Sequence, residues 1–183
     1  MISIDQCILD VECTDPNPPL TSIETGKSPI YVLSGDFDMD SYVDLAVLNQ
    51  GDQNIELFYG NKEGTFPKET TFTLGPGLSS VTTANLNKDQ NVDLAVTNQH
   101  DQTVEILYGN GDGTFGTLRY IVPVTAGSGP GSADIADFDG DTDLDILVGF
   151  YSSGIEIYYN QYIETGSATF TKDIVSVYNV GFS

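Results

Sequence analysis

Short apolar runs rich in Val, Ile, Leu and Tyr recur along the chain, broken by Gly, Asn and Asp at intervals of roughly eight to twelve residues. Such spacing predicts strands joined by tight turns, the pattern of an all-β fold. No stretch carries the 3.6-residue period of an amphipathic helix. The runs also repeat in order. Asp44-Leu-Ala-Val-Leu-Asn is echoed by Asp93-Leu-Ala-Val-Thr-Asn and Asp145-Ile-Leu-Val-Gly. Ile55-Glu-Leu-Phe-Tyr-Gly is echoed by Val104-Glu-Ile-Leu-Tyr-Gly and Ile155-Glu-Ile-Tyr-Tyr-Asn.

Each copy predicts four strands. A lead-in strand covers Ile30–Ser34, Ser80–Ala84 and Ser132–Ala136, and a second covers Leu45–Asn49, Leu94–Asn98 and Ile146–Phe150. A hairpin through Gln50–Gln53, or Gln99–Gln102, leads to the third. A glycine turn, Gly60-Asn-Lys-Glu-Gly-Thr-Phe66 or Gly109-Asn-Gly-Asp-Gly-Thr-Phe115, leads to the fourth, around Lys68–Leu74, Thr117–Val122 and Thr171–Tyr178. The third copy of that turn, from Asn160 to Phe170, is looser. Four strands and a glycine turn make one antiparallel blade, and a period near 50 residues is the scale of such repeat arrays.

Between the first two strands of each copy lies an acidic loop of nine residues. The loops run Asp36-Phe-Asp-Met-Asp-Ser-Tyr-Val-Asp44, Asn85-Leu-Asn-Lys-Asp-Gln-Asn-Val-Asp93 and Asp137-Phe-Asp-Gly-Asp-Thr-Asp-Leu-Asp145, starting 49 and then 52 residues apart. Positions 1, 3 and 5 carry Asp or Asn, positions 2 and 8 are apolar, and position 9 is always Asp. Alternate oxygen-bearing side chains on a tight loop converge on one point, which suits a hard cation taking six to eight oxygens. An EF-hand is excluded, because it needs flanking helices and a Glu at position 12, where Val47, Val96 and Val148 stand. The competing reading is that these Asp and Asn residues cap turns through their own backbone.

Composition adds limits. The 183 residues carry a formal charge of −21, which argues against nucleic acid and anionic membrane surfaces. Hydrophobic residues make up 39%, too many for a disordered acidic tail. No apolar run reaches the length of a membrane span. The first residues lack the basic region and apolar core of a secretory leader, which leaves open a leader removed, one upstream, or none. Cys7 and Cys13 are the only cysteines, and a local disulfide and two free thiols both remain open.

The loops and glycine turns together resemble the FG-GAP and VCBS-type repeats of integrin α-subunit propellers and of many extracellular proteins. The resemblance covers residues 28–178. It implies β-propeller blades whose loop side chains at positions 1, 3, 5 and 9, with the carbonyl at 7, hold calcium. Carried onto this chain, the ligands are Asp36, Asp38, Asp40, Asp44 and the Tyr42 carbonyl in loop one. In loop two they are Asn85, Asn87, Asp89, Asp93 and the Asn91 carbonyl. In loop three they are Asp137, Asp139, Asp141, Asp145 and the Asp143 carbonyl. Up to three Ca2+ ions are implied, with loop two weakest because Asn replaces Asp twice. The family usually has Gly at position 6, where this chain has Ser41, Gln90 and Thr142. A residue with a Cβ there must strain the backbone or alter the turn, which weakens affinity.

The expected organisation is an N-terminal segment with the remnant of a preceding blade over 1–27, then blades over 28–74, 75–124 and 125–183, the last truncated. Three blades cannot close a ring that needs about four to eight, so the chain reads as an arc of a larger, seven-bladed propeller. Leu20–Thr25 is placed as the last strand of a preceding unit. The implied function is an extracellular adhesion or interaction module, secreted or at the cell surface. Protein or glycan ligands would sit on its loops, and open blade edges would allow self-association. A carbohydrate-binding or carbohydrate-processing propeller is the alternative.

Nothing in the chain points to catalysis. Gly26-Lys27-Ser28 lacks the first glycine of a phosphate loop, since Thr21 stands there. His100, the only histidine, lies in a polar hairpin without a partner for a triad or zinc site. A glycosidase carboxylate pair is arithmetically available, but the fixed register of the acids favours a metal. Phe58-Tyr59 and Tyr158-Tyr159 could line a sugar site, and blade packing explains them at less cost.

Overall fold

A computed structural model describes residues 2–4, 21–123, 129–151, 154–163 and 167–173. Cys7 and Cys13 lie outside the described residues. Those residues form strands and turns only, with no helix among them. A two-stranded antiparallel pair, β1 (Ile2–Ile4) and β2 (Thr21–Ile23), precedes three four-stranded sheets. The first blade is β3 (Pro29–Gly35), β4 (Asp44–Asn49), β5 (Asn54–Tyr59) and β6 (Lys68–Thr73). The second is β7 (Leu78–Ala84), β8 (Asp93–Asn98), β9 (Thr103–Gly109) and β10 (Phe115–Pro123). The third is β11 (Pro130–Ala136), β12 (Asp145–Phe150), β13 (Gly154–Ile163) and β14 (Ser167–Asp173). Each is an antiparallel meander in chain order, and none closes into a barrel.

Register is the same in all three. Leu33 faces Ala46 and Ala46 faces Leu57, as Thr82 faces Ala95 and Ala95 faces Ile106, and as Asp134 faces Leu147 and Leu147 faces Ile157. Each lead-in strand also carries one bulged residue near its start, Ile30, Ser79 or Gly131. In the first two blades the hairpin after the second strand turns on a left-handed residue at one position, Gln53 (φ 59) or Gln102 (φ 57). Recurrence of such details is what one repeated sequence unit dictates.

Strands β4 and β8 are buried at every position, which explains why they read as continuous apolar runs rather than alternating ones. Both sheet faces are covered because blades stack. Ala46, Leu48, Ile55 and Leu57 of the first blade pack on Leu94, Val96 and Leu107 of the second. Ala95, Val104 and Ile106, from the other face of the second blade, pack on Ile146, Val148 and Tyr158 of the third. The lead-in strands meet along one rim, β7 lying against both β3 and β11. The stack is therefore propeller-like, an incomplete set of blades.

Two expectations differ from the structure. The stretch around Leu20–Thr25 does form a strand, β2, but it pairs with β1 in a sheet of its own. Its Ile23 packs over Leu45, Val47 and Phe58 on the outer face of the first blade. The last strand begins at Ser167 rather than Thr171, because β13 and β14 keep pairing as far as Ile163 and Ser167. Earlier blades leave the ladder at Tyr59 and Gly109 for a glycine turn, and the third copy lacks that glycine.

Candidate metal centres

Position 9 of each loop is a fully buried aspartate, Asp44, Asp93 or Asp145. Each carboxylate accepts two backbone N–H groups. One comes from loop position 2: Phe37 to Asp44 at 2.8 Å, Leu86 to Asp93 at 2.7 Å and Phe138 to Asp145 at 2.8 Å. The other comes from the residue at the same register in or just past the third strand: Gly60 at 2.8 Å, Gly109 at 2.9 Å and Asn160 at 2.9 Å. The aspartate thus ties the loop entrance to a neighbouring strand end. Burial pushes the Asp44 carboxyl above its ordinary value, and pushes Asp93 up to about 6, against the lowering effect of the N–H donors.

Close packing accompanies this tie. A Cβ on Gly60 would lie 2.1 Å from the Val43 carbonyl oxygen, and one on Gly109 would lie 2.2 Å from that of Val92. Only glycine fits where the strand end crosses loop position 8. The third blade carries Asn160 instead, and its Nδ2 donates to the Leu144 carbonyl (3.2 Å) and, across the blade junction, to that of Leu86 (2.8 Å).

The outer part of each loop winds through two left-handed residues. Position 4 is Met39 (φ 58), Lys88 (φ 60) or Gly140 (φ 86), and position 6 is Ser41 (φ 73), Gln90 (φ 76) or Thr142 (φ 76). Position 6 therefore keeps a glycine-like backbone without glycine, at a cost of order 1–3 kcal/mol each. Position 1 holds the winding together in loops one and three. Asp36 accepts the N–H groups of Asp40 (3.1 Å) and Ser41 (2.9 Å), and Asp137 those of Gly140 (2.6 Å) and Thr142 (3.0 Å). Position 5 accepts from position 7 at 2.8 Å in every loop: Tyr42 to Asp40, Asn91 to Asp89 and Asp143 to Asp141.

Turn chemistry explains these bonds. It does not explain why carboxylates converge. Oxygens of Asp36, Asp38 and Asp40 lie within 4.8 Å of one another, as do those of Asp137, Asp139 and Asp145. Two oxygens on one Ca2+ ion at 2.3–2.6 Å can be at most about 5 Å apart, so both trios fit a single shell. Without a cation, each like-charge pair at such range costs about 1 to 4 kcal/mol, depending on solvent screening. The strain is visible at Asp139, whose carboxyl is raised by desolvation and by the Asp141 and Asp145 charges. Asp44 and Asp141, expected as ligands, fall outside these tightest trios.

Loop two differs. Asn85 and Asn87 stand where the others have Asp, and the Asn87 amide donates to Asp89 (2.9 Å). Its position 4 lysine, Lys88, pairs with the Asp143 carboxylate of loop three and reaches Thr142 Oγ1 at 3.5 Å. The loop pattern assigns Asp143 a carbonyl role only and Lys88 none. The signal was the one basic residue inside three acidic loops.

The FG-GAP-like repeat family matches the chain twice, over residues 36–96 and 85–148. These spans cover more than half of the chain, each running from one acidic loop into the next blade. The chain belongs to the FG-GAP-like repeat family. A comparison with curated proteins finds no match.

Proposed function

We propose that this chain is a calcium-stabilised, extracellular interaction module, secreted or at the cell surface, that binds protein or glycan ligands through propeller loops and catalyses nothing. The convergence of three carboxylates within 4.8 Å in two loops of one repeated conformation carries the metal reading. In loop one Asp36, Asp38 and Asp40 hold the ion with Asp44 and the Tyr42 carbonyl. In loop three Asp137, Asp139 and Asp145 hold it with Asp141 and the Asp143 carbonyl. Loop two, with Asn85, Asn87, Asp89, Asp93 and the Asn91 carbonyl, binds most weakly, because two neutral amides replace charge. The ion supplies charge neutralisation, closing loops that otherwise repel themselves. Ligand binding is assigned to the loops because loops on a rigid scaffold carry recognition. Sites of this type on extracellular modules work at about 10⁻⁴ to 10⁻³ M calcium, which supports residence outside the cell.

Position 3 gives the cleanest test. In saturating calcium, Asp38→Ala and Asp139→Ala each remove a charged ligand and should lower the melting temperature by roughly 5–10 °C. That range follows from about 2.7 kcal/mol of linkage at a hundredfold excess over Kd, at about 2–4 °C per kcal/mol. In chelator the same changes should be neutral or stabilising, since they relieve repulsion. Asn87→Ala should show a smaller calcium-dependent loss, since loop two binds most weakly. Thermal melts of the three variants decide it, and calcium-independent losses at Asp38 and Asp139 would sink the metal reading.

A further inference from the structure

Position 4 of loops one and two reaches the following blade. In loop one it is Met39, whose sulfur lies against the glycine turn of the second blade: a Cβ on Gly111 would sit 2.8 Å from it. In loop two it is Lys88, the only basic residue in the three loops. Its ammonium pairs with the Asp143 carboxylate of loop three and lies 3.5 Å from Thr142 Oγ1. In loop three it is Gly140, which has no side chain to extend.

The partner of Lys88 is unusual among its equivalents at position 7. Tyr42 is 40% exposed and Asn91 half-buried, whereas Asp143 is 7% exposed. A carboxylate so far from water needs compensating charge and hydrogen bonds. Lys88 supplies charge from the neighbouring blade. The backbone at this pair leads directly to the loop three acids. Thr142 N–H donates to Asp137 (3.0 Å), and Asp143 N–H donates to Asp141 (2.8 Å). A grip on Thr142 and on the Asp143 side chain therefore steadies the turn that carries both.

The base of that grip is itself fixed. Lys88 stands in the left-handed winding of loop two (φ 60), between Asn87 and Asp89. Asn160 Nδ2 donates to a carbonyl of each loop, Leu86 of loop two (2.8 Å) and Leu144 of loop three (3.2 Å). Its backbone N–H donates to Asp145 at 2.9 Å. Loops two and three are thus joined at two places, and the lysine starts from a backbone already set against its target.

We infer that Lys88 of the second blade is a positioning residue for the loop three ion, holding position 7 and its carbonyl in place through the Asp143 carboxylate. This rests on the calcium reading of loop three. Acting as a bare charge, a lysine beside a cation site would weaken calcium binding. Here the carboxylate it pairs with cancels that charge, and the geometric effect remains. Losing Lys88 withdraws a compensating charge from a buried carboxylate, which then turns toward water and carries position 7 with it. Residues that orient ligands from behind account for about 10–100-fold of metal affinity. Lys88, with its side chain 43% exposed, belongs at the low end, because solvent screens the pair.

Amide resonances of Ser41, Gln90 and Gly140, followed through a calcium titration of the full chain, read the three loops separately. Lys88→Met should weaken binding at Gly140 about tenfold and leave Ser41 unchanged. Lys88→Arg, which keeps the charge and can pair with a carboxylate, should retain most of the affinity. In chelator, Lys88→Met should speed hydrogen exchange at the Thr142 and Asp143 N–H groups several-fold, a change that needs no ion. Unaltered or tighter binding at Gly140 in Lys88→Met, an equal loss at Ser41, or unaltered exchange in chelator would each overturn the positioning role. A wild-type Gly140 that ignores calcium would instead sink the calcium reading, and this inference with it.

Discussion

Asp93→Ala should destabilise the chain by about 3–5 kcal/mol, and most of that loss should persist in chelator. Asp93 is fully buried, and both of its oxygens accept backbone N–H groups, from Leu86 and Gly109. Truncation leaves two buried donors without an acceptor, and each such orphan costs about 1–3 kcal/mol. It also leaves a small void where the carboxylate stood. Against a typical total of about 5–15 kcal/mol, that loss threatens folding outright. Asp44→Ala and Asp145→Ala should cost similar amounts by the same two-bond logic, with an added calcium-dependent part that is larger at Asp145, whose oxygen belongs to the loop three trio. Urea denaturation with and without chelator separates the two contributions. A loss at Asp93 that disappears in chelator would assign that residue to the metal rather than to the loop tie.

Gly109→Ala should cost about 3 kcal/mol or more, at the upper end of overpacking effects. The new Cβ would sit 2.2 Å from the Val92 carbonyl oxygen, a backbone atom that cannot swing aside. Movement of either segment would also stretch the Gly109 N–H bond to Asp93, so the steric and polar penalties fall together. Gly60→Ala should behave likewise against Val43. Serine at position 160 in place of Asn160 should be much milder, because the third blade already admits a side chain there. Denaturant midpoints of the three variants check this ordering, and a mild Gly109→Ala would show that the loop can retreat from the strand.

The strands were legible because one unit is written three times. Asp-Leu-Ala-Val-x-Asn places the same residues on the same faces in β4 and β8, and its register with the strands on either side recurs through β12. Where the copy decays, legibility fails. Without its glycine turn, the third blade gave no sign that β13 would extend to Ile163 and pair directly with Ser167. The acidic loops were legible as a set and less so by role. An aspartate at position 9 looks the same whether it ties backbone or binds metal, since both tasks need a buried carboxylate. Its role depends on Gly60, Gly109 and Asn160, distant in sequence and brought close by the hairpin. The missing glycine at position 6 signalled an altered turn, yet Ser41, Gln90 and Thr142 hold the left-handed backbone. The tie at position 9 and the winding at position 1 fix both loop ends, which over-determines the residue between. Lys88 could not be paired from sequence, because its partner Asp143 lies on the next blade.

Calorimetric titration of the metal-free protein with calcium tests the central claim most directly. The account predicts saturable heat with two stronger sites and one weaker, half-saturated at or below about 10⁻³ M. It also predicts a melting temperature that rises with calcium by mass-action linkage. Absence of binding at millimolar calcium, with a melting temperature indifferent to chelator, would contradict it and leave the three loops as aspartate-capped turns.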